Sequence, residues 1–255
     1  MSPATGFIDS KPARLSALRD ALGRADLDAL LVTSLPNVRY LTGFSGSNAL
    51  LVVTSKACVL LTDFRYAIQV EAEVGPLASV HIQSTSLWIG LWAHLAMLTG
   101  VERVGFESTH LLHSDFARLL EQGARWSWRP TMDMVEALRV VKDAGELAHI
   151  ERAVAMAETA LRHTVPMLRA GLTETAVAGI LEHHLRDAGS EAFPFPSIVA
   201  SGPRSALPHA CASDRVLEMG DFVLLDFGAV TAGYCSDITR TFVIGRASTE
   251  QREIY

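Results

Sequence analysis

Cysteine is scarce: Cys58, Cys211 and Cys235 are the only three in 255 residues. An odd, low count at unrelated spacings suits a reducing cytoplasm and buried thiols better than a disulfide framework. Long apolar runs are missing too, since none reaches the roughly 18 residues that cross a bilayer. Basic charge is not in excess. Lys and Arg number 22 against 28 Asp and Glu, a net charge of −6, which leaves no electrostatic footprint for nucleic acid. Met1 to Asp9 lacks a basic stretch followed by an apolar one, so no secretory leader is legible. No repeat or low-complexity tract is visible. The remainder, 49 % hydrophobic and 20 % charged, is the make-up of a soluble globular chain. It is long enough for one large domain or two ordinary ones.

The first half alternates helix and strand. Leu15, Leu18 and Leu22 recur at helical spacing and predict a helix over 13–25. Short apolar runs predict strands at 29–33, 49–54, 58–62, 79–83, 103–107 and 126–129. Between them lie a helical turn at 36–44 ended by Gly43 and helices at 66–74, 87–98 and 111–122. This mixture predicts an α/β domain with a mixed sheet. Pro130 and Val141-Lys-Asp143 punctuate the middle, so the domains are set at 1–135 and 136–255.

The second half opens with two helices. Asp143 and Glu146 form a capping-box-like start. Leu147, Ile150, Val154, Ala157 and Leu161 make the apolar stripe of the first helix. Thr173 caps the second, with Ala176, Ile180, Leu181 and Leu185 inward and Gly189 as its stop. A strand is expected over 197–200. Near the end, Ser248-Thr-Glu-Gln251 is another helix start. Only four residues follow it, so the chain is expected to be a fragment or a truncated product.

Most of the chemistry lies between these last two points. Phe222-Val-Leu-Leu-Asp226-Phe-Gly-Ala-Val230 and Gly233-Tyr-Cys-Ser-Asp237-Ile-Thr-Arg-Thr-Phe242 are apolar, β-branched runs around a small-residue break, which predicts a β-hairpin. With Thr231-Ala232 as a two-residue loop, Asp226 falls directly opposite Asp237. Opposed side chains have Cβ atoms roughly 4.5–5.5 Å apart. Two carboxylates that close repel by about 3 kcal/mol at an effective dielectric near 20. A proton or a cation removes that cost. Two divalent metals roughly 3.5–4 Å apart would do so and would also activate water. Period-two counting puts Thr239 and Thr241 on the face of Asp237, as hydroxyls able to orient a carboxylate.

These residues resemble a known family. The two aspartate runs are similar to the first two metal-ligand strands of the prolidase and aminopeptidase P family. Ile198-Val-Ala-Ser-Gly202 with Leu207-Pro-His209 resembles that family's substrate-side segment. Thr42-Gly-Phe-Ser-Gly-Ser47 and Leu61-Thr-Asp-Phe-Arg-Tyr66 resemble its creatinase-like N-terminal domain. The resemblance implies a creatinase-like mixed-sheet domain followed by an incomplete pita-bread catalytic domain. It implies cleavage of Xaa-Pro bonds in dipeptides or short peptides by two Mn, Co or Zn ions, in a homodimer. Two Asp, one His and two Glu hold the metals in that family, and Asp226 and Asp237 match the two Asp. His209 matches a histidine that meets the substrate and assists the leaving group. Phe195 stands where some relatives carry a tyrosine, and it can wall an apolar pocket with Phe193, Pro194 and Pro196. The His and both Glu ligands lie beyond the last residue here, so activity of this chain alone is in question.

Plainer readings stand beside these. Asp226 could cap backbone amides, Asp237 could pair with Arg240, and His209 could be a loop histidine. His183 and His184 are adjacent, which does not make a two-ligand helical face, and are expected on the surface. His94, His110, His113, His149 and His163 read as structural, and Trp88 and Trp92 as core or interface. Two rivals remain: a creatinase-like hydrolase that works without metal, and a pita-bread binding module or inactive remnant. Retention of both aspartates argues against the first, and the missing distal ligands support the second.

Overall fold

A computed structural model describes residues 10–255. The leader reading of Met1 to Asp9 therefore lies outside the described residues. The chain divides into two compact units, the first ending at Asp143 and the second spanning Ala144–Tyr255.

The first unit runs α1 (Lys11–Arg24), β1 (Ala29–Val32), α2 (Leu35–Thr42), β2 (Ala49–Thr54), β3 (Cys58–Asp63), α3 (Ala67–Val74), β4 (Ser79–Gln83), α4 (Leu87–Met97), β5 (Arg103–Glu107), α5 (His113–Gln122), β6 (Ser127–Thr131) and α6 (Glu136–Val140). Its six strands lie in the order β4-β3-β2-β1-β5-β6. Only β2 runs against its neighbours; the other pairings are parallel. Strands β1 and β2 are buried along their whole length. Their runs are continuously apolar because helices cover both faces of the sheet. Leu18, Leu30 and Leu51 fill one side; Leu31, Leu61 and Leu91 fill the other. Trp92 stacks on Trp126 at 6.0 Å between centroids and packs beside Trp88, which settles these indoles in or against the core.

Several boundaries differ from expectation for local reasons. Asp63 accepts from Arg65 N at 3.0 Å and closes a 3₁₀ turn over Phe64–Tyr66, so α3 begins after Tyr66. Helix α5 starts at His113 rather than Leu111. Pro130 is not a break but lies inside β6. It is tolerated there because β6 is an edge strand, where a missing N–H costs no ladder bond. A cleft of about 460 Å³ opens beside Thr33, Asn48, Ser86, Trp88 and His110, and none of the predicted site residues lines it.

The second unit runs α7 (Ala144–Thr164), α8 (Glu174–Asp187), β7 (Ile198–Ser201), β8 (Phe222–Phe227), β9 (Val230–Thr231), β10 (Tyr234–Cys235), β11 (Ile238–Val243) and α9 (Thr249–Ile254). An antiparallel sheet, β11-β8-β7, carries the two helices on one face. The inward face of α7 is Ala153, Ala157, Ala160 and Thr164, whereas Leu147 is 49 % exposed. Small side chains win that face because α8 packs closely against it. Thr173 caps α8 by accepting from Ala176 N at 3.1 Å, as expected. Its inward face, however, is Glu174, Val177, Ala178, Leu181 and Leu185; Ala176 is exposed. Ser248 and Gln251 do form the capping box of α9.

Candidate metal centre

The hairpin exists, but its register differs from the expected one. Thr231 pairs with Tyr234, and Ala232-Gly233 is the loop. Both loop residues take positive φ, +50° and +78°. That pair of conformations suits a tight hairpin turn and favours Gly at its second position. Moving the loop by one residue shifts the pairing by two. Asp226 therefore faces Thr239, not Asp237. A shift of two leaves every side chain on its expected face. Asp237 remains on the face of Asp226 as its diagonal neighbour, which is still within reach of long side chains.

Burial separates the two faces of β8. Val223, Leu225 and Phe227 point into the core; Leu224 and Asp226 lie on the other side and are half-buried. Thr239 and Thr241 on β11 pair with Asp226 and Leu224 and so share that side. Gly228 makes the close approach possible. A Cβ there would lie 2.0 Å from the Ser236 carbonyl oxygen and 2.6 Å from Pro194 Cγ. Ser236, which sequence reasoning passed over, secures the same spot. Its hydroxyl accepts from Ala229 N at 3.0 Å and donates to the Ala153 carbonyl at 3.1 Å, tying the hairpin to α7.

The two carboxylates meet. Partial desolvation and the charge of Asp226 beside it hold the Asp237 carboxyl above its ordinary range. Thr239 Oγ1 donates to Asp226 Oδ1 at 3.0 Å. Arg240 does not neutralise the pair: its guanidinium donates to the carbonyl of Thr239 at 2.8 Å. Hard anionic oxygens facing each other, with no ion pair to Lys or Arg among the described residues, fit a divalent cation. They do not complete a site. Among the described residues no group of three or more His, Cys, Asp or Glu could hold a metal ion.

The other predicted residues stand apart from this pair. Thr241 is half-buried on the same face and makes no side-chain hydrogen bond among the described residues. His209 is exposed in the segment between β7 and β8, with its ring free of hydrogen bonds among the described residues. Phe195 is half-buried just before β7, while its neighbour Phe193 packs into the core under Arg186. His183 is exposed and pairs with Asp187 at 3.3 Å. His184 departs from the surface reading: it is half-buried and bonds Thr164 at 3.0 Å.

Comparison with known proteins places this chain in a family. Residues 148–255 match metallopeptidase family M24, and residues 14–141 match the creatinase/prolidase N-terminal domain. An uncharacterized peptidase of Bacillus subtilis, YqhT, is 39 % identical over 95 % of this chain and 68 % of its own length. The chain belongs to metallopeptidase family M24. An Xaa-Pro dipeptidase of Pyrococcus furiosus is 31 % identical over 95 % of this M24 chain and 68 % of its own. Among solved structures, an Xaa-Pro dipeptidase from Bacillus anthracis superposes with a TM-score of 0.90 at 34 % identity. It is matched over 96 % of this chain and 68 % of its own. The fold is thus the expected creatinase-like mixed-sheet unit followed by part of a pita-bread unit. Membership of M24 implies divalent metal ions.

Proposed function

We propose that Asp226 and Asp237 are two ligands of a two-metal centre that hydrolyses Xaa-Pro bonds in dipeptides or short peptides. The observation that carries this reading is the neighbouring carboxylate pair on one sheet face, with Thr239 donating to Asp226 and no Lys or Arg ion-pair partner among the described residues. When bound, Mn, Co or Zn ions supply a water made nucleophilic near neutral pH and positive charge for the developing oxyanion. The chain's own residues do the rest. Thr239 fixes the orientation of the Asp226 carboxylate, and Thr241 extends the same polar face. Phe195 walls an apolar pocket. His209 donates a proton to the leaving nitrogen. That donation is needed because a tertiary Xaa-Pro amide has no N–H of its own and its nitrogen leaves only after gaining a proton.

Two of the three relatives named above, from Pyrococcus furiosus and Bacillus anthracis, carry the words Xaa-Pro dipeptidase, and the extended match to them supports the same substrate class here. The family resemblance also supports a homodimer, and three free cysteines fit a cytoplasmic protein. A second reading has its own support. With two of five ligands in hand and no group of three among the described residues, this chain by itself is a weak metal binder that does not turn over substrate.

Calorimetry with Mn²⁺, run beside hydrolysis of Ala-Pro, tests both. The 255-residue chain is expected to bind at most one weakly held ion per chain. Asp226→Asn and Asp237→Asn should each abolish that heat. Unchanged binding in both variants sinks the metal reading. Turnover of Ala-Pro by this chain alone sinks the second one.

A further inference from the structure

We infer that Glu174 is a positioning residue that holds the His209-bearing loop in place. Glu174 is the first residue of α8 and is wholly buried, an unusual position for a carboxylate. Its Oε1 accepts from Ser201 N and Ser201 Oγ, both at 2.8 Å. Its Oε2 accepts from Ser213 Oγ at 2.7 Å and Ser213 N at 3.1 Å. Arg204 Nε reaches Oε2 at 3.1 Å. Every one of these donors lies at the start or the end of one segment, 201–213, with His209 between them. A single carboxylate closes the mouth of a compact loop: Ser201 takes one oxygen, Ser213 the other, and Arg204 reaches both.

Further contacts carry the restraint along the loop. Arg204 donates onward to the Cys211 carbonyl at 2.6 Å, just past His209. Arg215 donates to Ser201 Oγ at 2.6 Å and pairs with Asp221 at 2.6 Å. Gly202 passes this pair with φ +52°, and a Cβ there would lie 2.5 Å from the Arg215 guanidinium. Burial alone would raise the Glu174 carboxyl, but the Ser213 and Ser201 donors outweigh it and hold the group below its ordinary range. A carboxylate needed only to favour the helix N-terminus works at the surface. This one is buried where it ties both ends of the loop.

The inference rests on the reading of His209 as the residue that meets the substrate. Its test uses the full chain and four variants: Glu174→Gln, His209→Ala, Ser201→Ala and Ser213→Ala. Amide hydrogen exchange is the first readout. In Glu174→Gln, amides of 202–212 should exchange at least about tenfold faster, while β8 and β11 keep their rates, because hydrogen bonds to a charged group are lost only at the loop. The His209 ring signals should broaden in the NMR spectrum of the same variant. Unchanged loop exchange, or a uniform rise through the whole second unit, overturns the inference and leaves Glu174 a general stabiliser. Should Glu174→Gln fail to fold, Ser201→Ala and Ser213→Ala decide. Each should loosen its own end of the loop, and equal exchange in both overturns the inference. The last readout is Ala-Pro binding to the Mn²⁺-equilibrated chain, followed by NMR. His209→Ala and Glu174→Gln should weaken it alike. Unchanged binding in His209→Ala sinks the role of His209 alone, and the exchange result on the loop then stands by itself.

Discussion

At the scale of single residues, orientation and burial decide what each polar group can do. Thr239 is the clearest case. Its hydroxyl is the neighbour that turns the Asp226 carboxylate, and it lies opposite Asp226 across the sheet. Groups that orient a metal ligand are commonly worth 10–100-fold in affinity. Thr239→Val keeps the shape and removes the donor, so Mn²⁺ affinity should fall about tenfold. Calorimetry showing equal affinity would remove Thr239 from the centre. The thiols make a second test. Burial pushes Cys58 up to about 11, while Cys211 is exposed. Only the thiolate reacts. A disulfide reagent at pH 8 should therefore modify Cys211 quickly and leave Cys58 intact until the chain is unfolded. Mass mapping that finds Cys58 labelled in the native chain contradicts this. Glu174 shows what could not be read in advance. In sequence it looks like a first-turn acid facing water. Only the folded chain brings Ser201 and Ser213, from 27 and 39 positions away, onto its two oxygens.

At the scale of elements, the hairpin shows how much a pattern can carry. Period-two counting placed Asp226, Asp237, Thr239 and Thr241 on one face, and they share it. The pairing partner was not legible, because Thr231-Ala232 and Ala232-Gly233 are both acceptable small-residue breaks. The deciding signal was Gly233, which supplies a positive φ at no steric cost. Helix α7 held in part: of the expected stripe Ala157 is buried and Val154 and Leu161 pack against the core, but Leu147 is exposed and the fully buried positions are Ala153, Ala157 and Ala160, with Thr164 and Glu146. Close packing against α8 rewards small side chains, and sequence periodicity does not register the distance between helices. The turn also yields a prediction. Ala232 holds φ +50° against its own preference. Asn tolerates that conformation far better. Ala232→Asn creates the Asn-Gly turn favoured in two-residue hairpins and should stabilise the chain by about 0.5–1 kcal/mol. The change keeps the backbone N–H that donates to Glu191 at 2.7 Å. A urea midpoint that does not rise would show the turn to be less strained than its dihedral implies.

At the scale of the whole molecule, two units with separate cores stand on different supports. The second is tied together by the Glu174 network and the hairpin. The first is a sheet whose central strands are gathered by Asp28. That carboxylate accepts from Arg103 N at 2.8 Å, from Glu102 N at 3.1 Å and from the Arg103 guanidinium at 2.9 Å, so it joins the approach to β1 with the start of β5. Asp26 pairs with the same guanidinium. Hydrogen bonds from Arg103 pull the Asp28 carboxyl down to about 2. An unfolded Asp titrates near 3.9. Between about pH 4 and pH 2 the unfolded chain therefore binds the proton and the folded chain does not. The contribution of Asp28 is complete above this window and lost as the pH falls through it. Its side chain is 21 % exposed and that of Arg103 38 %, so solvent screening reduces the contribution. About 1 kcal/mol is a fair expectation for such a pair. Asp28→Asn should lower stability at pH 7 by about that amount and flatten the acid limb between pH 4 and pH 2. Unfolding followed by the fluorescence of Trp88, Trp92, Trp126 and Trp128, all of which lie in the first unit, reports on the right half of the molecule. If wild type and variant lose stability in parallel over that range, the acid sensitivity of the first unit has another source.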